Sequence, residues 1–383
     1  MKVGQNHITY CTNVHPGETL ADLERILVED VTVVKDMVCP DEAFGAGLRL
    51  GHSIVRELLS TPEKLHRLAQ RCQELNLYVF TVNGFPYGDF GSGIIKETVY
   101  EPDWTQEARV DYTIKLAEIL ARLPGPSQRT ISTVAGGYGP ETEDEITRQA
   151  IATNLGRVAE RLHMLYEETG THVRLCLEPE PWTTLETTPG VIQFFDRWIH
   201  PLGRLAENHL GLCYDCCHQA VYFEDMTDSV KALHENGVFI GKVQVSSALH
   251  IGDPANPDVR AALLKYAEPR YLHQVAGLTK NLDILRARDL TDLRSPSEAW
   301  LEAEAWRCHF HVPIWWRGDG VLGTTRKDWE SAVSAIVGRS GGTQLEIETY
   351  TWDVIPAAQR AQLGDGSLHQ SVAMEFAALK PLL

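Results

Sequence analysis

The chain has 383 residues, 43% of them apolar, and its 35 basic and 52 acidic side chains leave a net charge of −17. That apolar share supports a sizeable core and excludes a disordered or coiled-coil protein. The negative field, with no run of five basic residues to offset it, argues against a nucleic-acid partner or an anionic membrane surface.

The first residues hold no apolar stretch fit for a signal peptide, and no run of 18 apolar residues follows. A cytoplasmic protein without membrane insertion is therefore expected. Eight cysteines in so long a chain read as reduced thiols, with Cys176 and Cys213 inside expected strands.

Strand and helix patterns alternate. A strand is expected over 3–10, then a helix over 19–37 with Leu20, Leu23, Ile26 and Leu27 at helical spacing. A short strand over 47–50 precedes a helix opened by Thr61-Pro62-Glu63. Strands over 77–82 and 129–134 flank a helix over 106–123, and a long helix covers 144–169. The segment of Glu178, a helix over 191–205, the segment of Asp215, a helix near 228–235 and the segment of Gln244 continue the series. Residues 257–305 read as a helical and loop-like insertion, and strands over 306–313 and around Glu348 end it.

Such βα repetition implies a parallel sheet with helices outside. The strand count favours a single-domain (β/α)₈ TIM barrel, with one strand candidate in excess. No Gly-x-Gly-x-x-Gly opens a helix, which weakens a dinucleotide fold.

Four strands end in polar groups suited to one hard cation: Glu178-Pro-Glu180, Asp215-Cys-Cys-His218, Gln244, and Glu346-Ile-Glu348. In a barrel these groups reach the carboxyl-end mouth, where function resides. Glu178 and Glu180 share a face, as do Glu346 and Glu348, so either member of each pair is a ligand candidate, with strand position favouring Glu348. Salt bridges at strand ends are the plain alternative for any one of these acids. Asp215 and His218, three apart, let a carboxylate and an imidazole approach one site. Mixed oxygen and nitrogen ligands suit Mn²⁺, Mg²⁺, Co²⁺ or Zn²⁺.

His309-x-His311 offers two imidazoles on one face, as ligands or as structural residues. Asn83 with Gly84 leaves room at the mouth, Trp316 and Arg317 lie in a polar-aromatic loop suited to a ring or an anion, and Lys242 is a further candidate for an anion. Each is equally read as an ordinary loop or pairing residue.

The order of these residues resembles the xylose isomerase-like superfamily, which includes sugar phosphate isomerases and epimerases and endonuclease IV-type enzymes. The resemblance covers nearly the whole chain and is most specific in its second half. It implies a divalent ion held by Glu178, Asp215 and Glu348, with His218 orienting substrate and Glu178 and Glu348 doubling as acid and base. Gln244 stands where the epimerases place histidine, and an amide favours harder ions. His311 or His309 is the other source of a nitrogen ligand.

The expected activity is metal-dependent isomerisation or epimerisation of a sugar-like small metabolite. A metal-dependent phosphodiesterase of the endonuclease type and a non-catalytic metabolite-binding barrel are the alternatives. The oligomeric state, a homo-oligomer included, is open.

Overall fold

Eight short strands, each followed by helical chain, carry alternating apolar and polar residues that are buried on both sides. In the computed structural model, which describes residues 1–87, 94–142, 144–339, 341–361 and 366–383, they are β1 (Asn6–Tyr10), β2 (Leu48–Arg49), β3 (Thr81–Asn83), β4 (Gln128–Val134), β5 (His172–Glu178), β6 (Leu210–Asp215), β7 (Ile240–Val245) and β8 (Gln344–Ile347). From β2 to β8 each pairs in parallel with the next, and β8 pairs in parallel with β1. A parallel bridge from Cys11 to Gly47 joins β1 to the approach of β2 and closes the barrel. Only glycine fits there: a Cβ on Gly47 would lie 2.6 Å from the Tyr10 carbonyl oxygen.

Alternate strand residues, among them Ile8, Val82, Ile131, Leu175, Leu212, Val243 and Leu345, join the main apolar cluster with the helices. The other parity turns inward and is polar. Thr130 bonds across to Gln344, and Ser132 to Asn83. This inward set makes the barrel a channel of hydrogen bonds leading up to the mouth.

Most expected helices form, but the one expected over 191–205 breaks into Thr188–Phe194, a π-type turn over Phe195–Ile199, and Arg204–His209 beyond Gly203. Asp144 caps Glu145–Thr169 through the Ile146 and Thr147 N–H groups, and Pro62 opens Pro62–Glu74. The helix expected over 19–37 spans Leu20–Ile26 and Thr32–Val38, joined by a wider π-type turn over Leu27–Val31.

Two late expectations need correction. Residues 306–313 do not supply a barrel strand: Ala305–Cys308 pairs antiparallel with Leu249–Ile251 and Val275–Leu278 in a separate five-stranded sheet. The insertion over 257–305 carries the helix Pro257–Leu264, but also an antiparallel hairpin of Val275–Leu278 and Ile284–Ala287. Val275-Ala-Gly-Leu278 and Ile284-Leu-Arg-Ala287 do not alternate apolar with polar residues, so no period of two marks them.

Candidate metal and substrate site

Glu178 ends β5, Asp215 ends β6, and Glu348 follows β8 directly. All three are buried, and one oxygen of each lies within 4.8 Å of the others. The paired acids separate by depth. Glu346 sits lower in the barrel, fully buried, 2.6 Å from the Lys242 ammonium. Glu180 lies one step further out, accepts the Tyr100 hydroxyl at 2.6 Å, and groups with His218 and His309.

Hydrogen bonding leaves specific oxygens open. Asp215 Oδ1 accepts the His218 N–H at 2.9 Å and the Ser246 hydroxyl at 2.7 Å, whereas Oδ2 is buried with no hydrogen-bond partner. Glu178 Oε2 is also buried without one. Glu348 Oε1 accepts Asn13 Nδ2 at 3.0 Å.

The imidazoles are aimed by their outer nitrogens. His218 Nδ1 donates to the Pro179 carbonyl at 2.9 Å and His311 Nδ1 to the Glu348 carbonyl at 2.8 Å. His309 Nδ1 lies 2.6 Å from Gln274 Oε1, whose amide nitrogen donates to Glu180 and to the Pro181 carbonyl. Each partner is an acceptor, so each Nδ1 carries the hydrogen and each Nε2 presents a lone pair.

These lone pairs converge. His309 Nε2 is 3.1 Å from His218 Nε2 and 3.2 Å from His311 Nε2. Asp215 Oδ2 is 3.8 Å from His218 Nε2 and 3.9 Å from His311 Nε2. Lone pairs facing one another beside an unbonded carboxylate oxygen repel unless a cation or a proton lies among them.

Burial pushes His311 down to about 4 and His309 well below its ordinary range, so both imidazoles are neutral and able to ligate. It pushes Glu178 up strongly, helped by Glu348 and Asp215, and likewise Glu348, helped by Asp215 and Glu346. Buried carboxylates with neutral imidazoles are a fitting donor set for a divalent ion, which would relieve this repulsion.

Of the residues expected at the site, Glu178, Asp215, His218, His309, His311 and Glu348 come together. The others do not. Gln244 faces the barrel interior, its amide nitrogen 3.0 Å from Asn83 Oδ1. Asn83 and Lys242 lie at the same depth, with Lys242 Nζ bonded to Glu346, Asn83 Oδ1 and Ser132. Trp316 packs into the apolar core and Arg317 is exposed, and neither lines the cavity at the mouth.

That cavity, about 570 Å³ with its open mouth, is lined by Glu178, Glu180, His218, His309 and Glu348 below and largely by apolar and aromatic groups above. Sequence reasoning missed Asn13, Tyr100, Tyr271 and Tyr350. Tyr350, two residues beyond Glu348, shares its parity and was findable on that ground. Nothing local marks Asn13.

The sequence pattern of the xylose isomerase-like TIM barrel family matches residues 50–263, more than half of the chain. The chain belongs to that family. The matched stretch of this xylose isomerase-like barrel includes Glu178, Asp215 and His218, and stops short of His309, His311 and Glu348. Its fold is similar to that of a xylose isomerase-like TIM barrel protein from Mycobacterium smegmatis solved in complex with magnesium, at TM-score 0.57 and 8% identity over 100% of both chains. It is also similar to the IOLI protein solved with a zinc atom, at TM-score 0.50 and 12% identity over 98% of this chain and 99% of that one. No curated protein sequence matches the chain.

Proposed function

We propose that this barrel is a divalent-metal-dependent isomerase or epimerase of a polyhydroxylated small metabolite. The observation that carries it is the convergence of Glu178, Asp215 and Glu348 at the mouth, with Glu178 Oε2 and Asp215 Oδ2 buried and lacking hydrogen bonds. Glu178, Asp215, Glu348 and His311 would hold the ion, His311 replacing the strand-borne Gln244 as the fourth ligand. A bound divalent ion supplies Lewis acidity to substrate carbonyl and hydroxyl oxygens.

The protein's own groups move the proton. Burial holds both Glu178 and Glu348 well above the ordinary carboxyl range. A bound ion would favour their carboxylate forms, leaving one able to accept a proton from the carbon beside the substrate carbonyl and to return it. His218, fixed through Nδ1, presents Nε2 to a substrate hydroxyl.

The strings Leu177-Glu-Pro-Glu-Pro-Trp182, Cys213-Tyr-Asp-Cys-Cys-His218 and Cys308-His-Phe-His-Val-Pro313 resemble the metabolite traffic protein EboE. That resemblance supports a place in the processing or traffic of secondary-metabolite precursors.

The test is hydrogen exchange. Metal-loaded protein in deuterated water should introduce deuterium beside the carbonyl of a hydroxycarbonyl substrate, followed by NMR. Metal and ligand binding without exchange would favour a non-catalytic binding barrel instead. The phosphodiesterase reading draws on the additional Glu180, His218 and His309 donor group and is opposed by the charge of −17. Cleavage of an abasic-site duplex would favour it.

A further inference from the structure

We infer that the substrate is an uncharged hydroxycarbonyl compound bearing a flat apolar ring, and not a sugar phosphate. The hydroxycarbonyl part rests on the isomerase reading above; the ring and the lack of charge rest on the cavity itself.

The floor of the cavity is polar, and its upper wall consists of Phe85, Ile95, Val99, Tyr271, Leu272 and Tyr350. Tyr271 and Tyr350 meet edge to face with ring centroids 5.0 Å apart, and the other face of that corner is braced by His311, 4.7 Å from Tyr350. Such a corner is preformed, so a flat ring seated there loses little freedom and buries apolar surface on two sides. A small polyol would leave this wall wetted by water.

A phosphate finds no place. Recognition of a dianion takes several convergent donors or cations. Among the described lining residues Lys96 is the one Lys or Arg, and its ammonium is 2.8 Å from Asp289. A bound ion would offset Glu178 and Glu348, but Glu180 faces the same space and adds a negative group where a phosphate would need donors. Lys242 is sealed below against Glu346, and Arg317 lies off the cavity.

Three probes share one hydroxyketone and differ only in what it carries: 2-hydroxy-1-phenylethanone, 1,3-dihydroxyacetone and dihydroxyacetone phosphate. Titrated by calorimetry into Mn²⁺-loaded full-length protein, the phenyl compound should bind at least about tenfold more tightly than dihydroxyacetone. The phosphate should bind no better than dihydroxyacetone. Tyr271→Ala should lower affinity for the phenyl compound at least about tenfold more than it lowers affinity for dihydroxyacetone. Tightest binding by the phosphate, equal binding of all three, or binding of none would overturn the inference in the unmodified protein, whatever the variant does. A phenyl preference that survives chelation unchanged would support the apolar wall and count against the metal reading alone.

Discussion

Gln244 and His311 occupy positions that invert what their places in the chain imply. Gln244 lies on a barrel strand in register with Asp215, yet its amide nitrogen is held by Asn83. His311 lies beyond the second sheet, yet its Nε2 approaches Asp215 Oδ2 to 3.9 Å. His311→Ala should therefore weaken divalent-metal binding by more than about 100-fold, whereas Gln244→Leu should weaken it by less than about tenfold. Competition with a chromophoric chelator measures both, and the reverse order would remove His311 from the ligand set. Lys242 carries a different burden. With its ammonium gone, Glu346 would remain buried and uncompensated, so Lys242→Met should cost about 3–5 kcal/mol in urea unfolding. A double change that also removes the Glu346 charge should recover much of that loss. Strand parity put Glu346 and Glu348 on one face, and position along the strand already favoured Glu348. What separates them is depth, which depends on where β8 stops against its neighbours.

At the scale of elements, the C-terminal helix Leu368–Leu379 anchors the site from behind. Its buried Glu375 accepts the Thr349 hydroxyl at 2.6 Å and the Ile314 N–H at 3.0 Å, tying the loop of Glu348 to the segment that follows His311. Burial pushes Glu375 up to about 7 from an ordinary value of 4.5. The folded protein thus keeps a proton that the unfolded chain releases near 4.5. This contribution is fully present below 4.5, declines as pH rises towards 7, and is level above it, a loss of about 3 kcal/mol. Denaturant midpoints at pH 5 and 7.5 should fall further apart in the native protein than in Glu375→Gln; equal falls would show that Glu375 does not titrate as stated. The barrel strands and major helices were legible because each pairs a clear period with capping or turn residues. The second sheet was not, since its hairpin strands do not alternate apolar with polar residues and Leu282 makes a left-handed turn that no glycine announces. That sheet is what delivers His309 and His311 to the mouth.

At the scale of the molecule, closure of the barrel assembles the site from distant parts of the chain. Asn13 and Glu348 are 335 residues apart and share a hydrogen bond because β8 returns beside β1. No local pattern foretells such a pair, whereas strand-end acids with a histidine three residues on foretold Asp215 and His218. Among the described residues no helix is long and apolar enough to cross a membrane. The mouth gathers buried acids against few cations, so ion binding should couple strongly to folding. At free metal about 1,000 times the dissociation constant, the folded state should gain about 4 kcal/mol over chelated protein, seen as a higher thermal midpoint. The most direct measurement is an anomalous-difference map from crystals grown with Mn²⁺. The expected result is a peak bounded by Glu178, Asp215, His311 and Glu348. A mouth without a peak at saturating Mn²⁺, or a peak ligated without Asp215 and Glu348, would contradict the account.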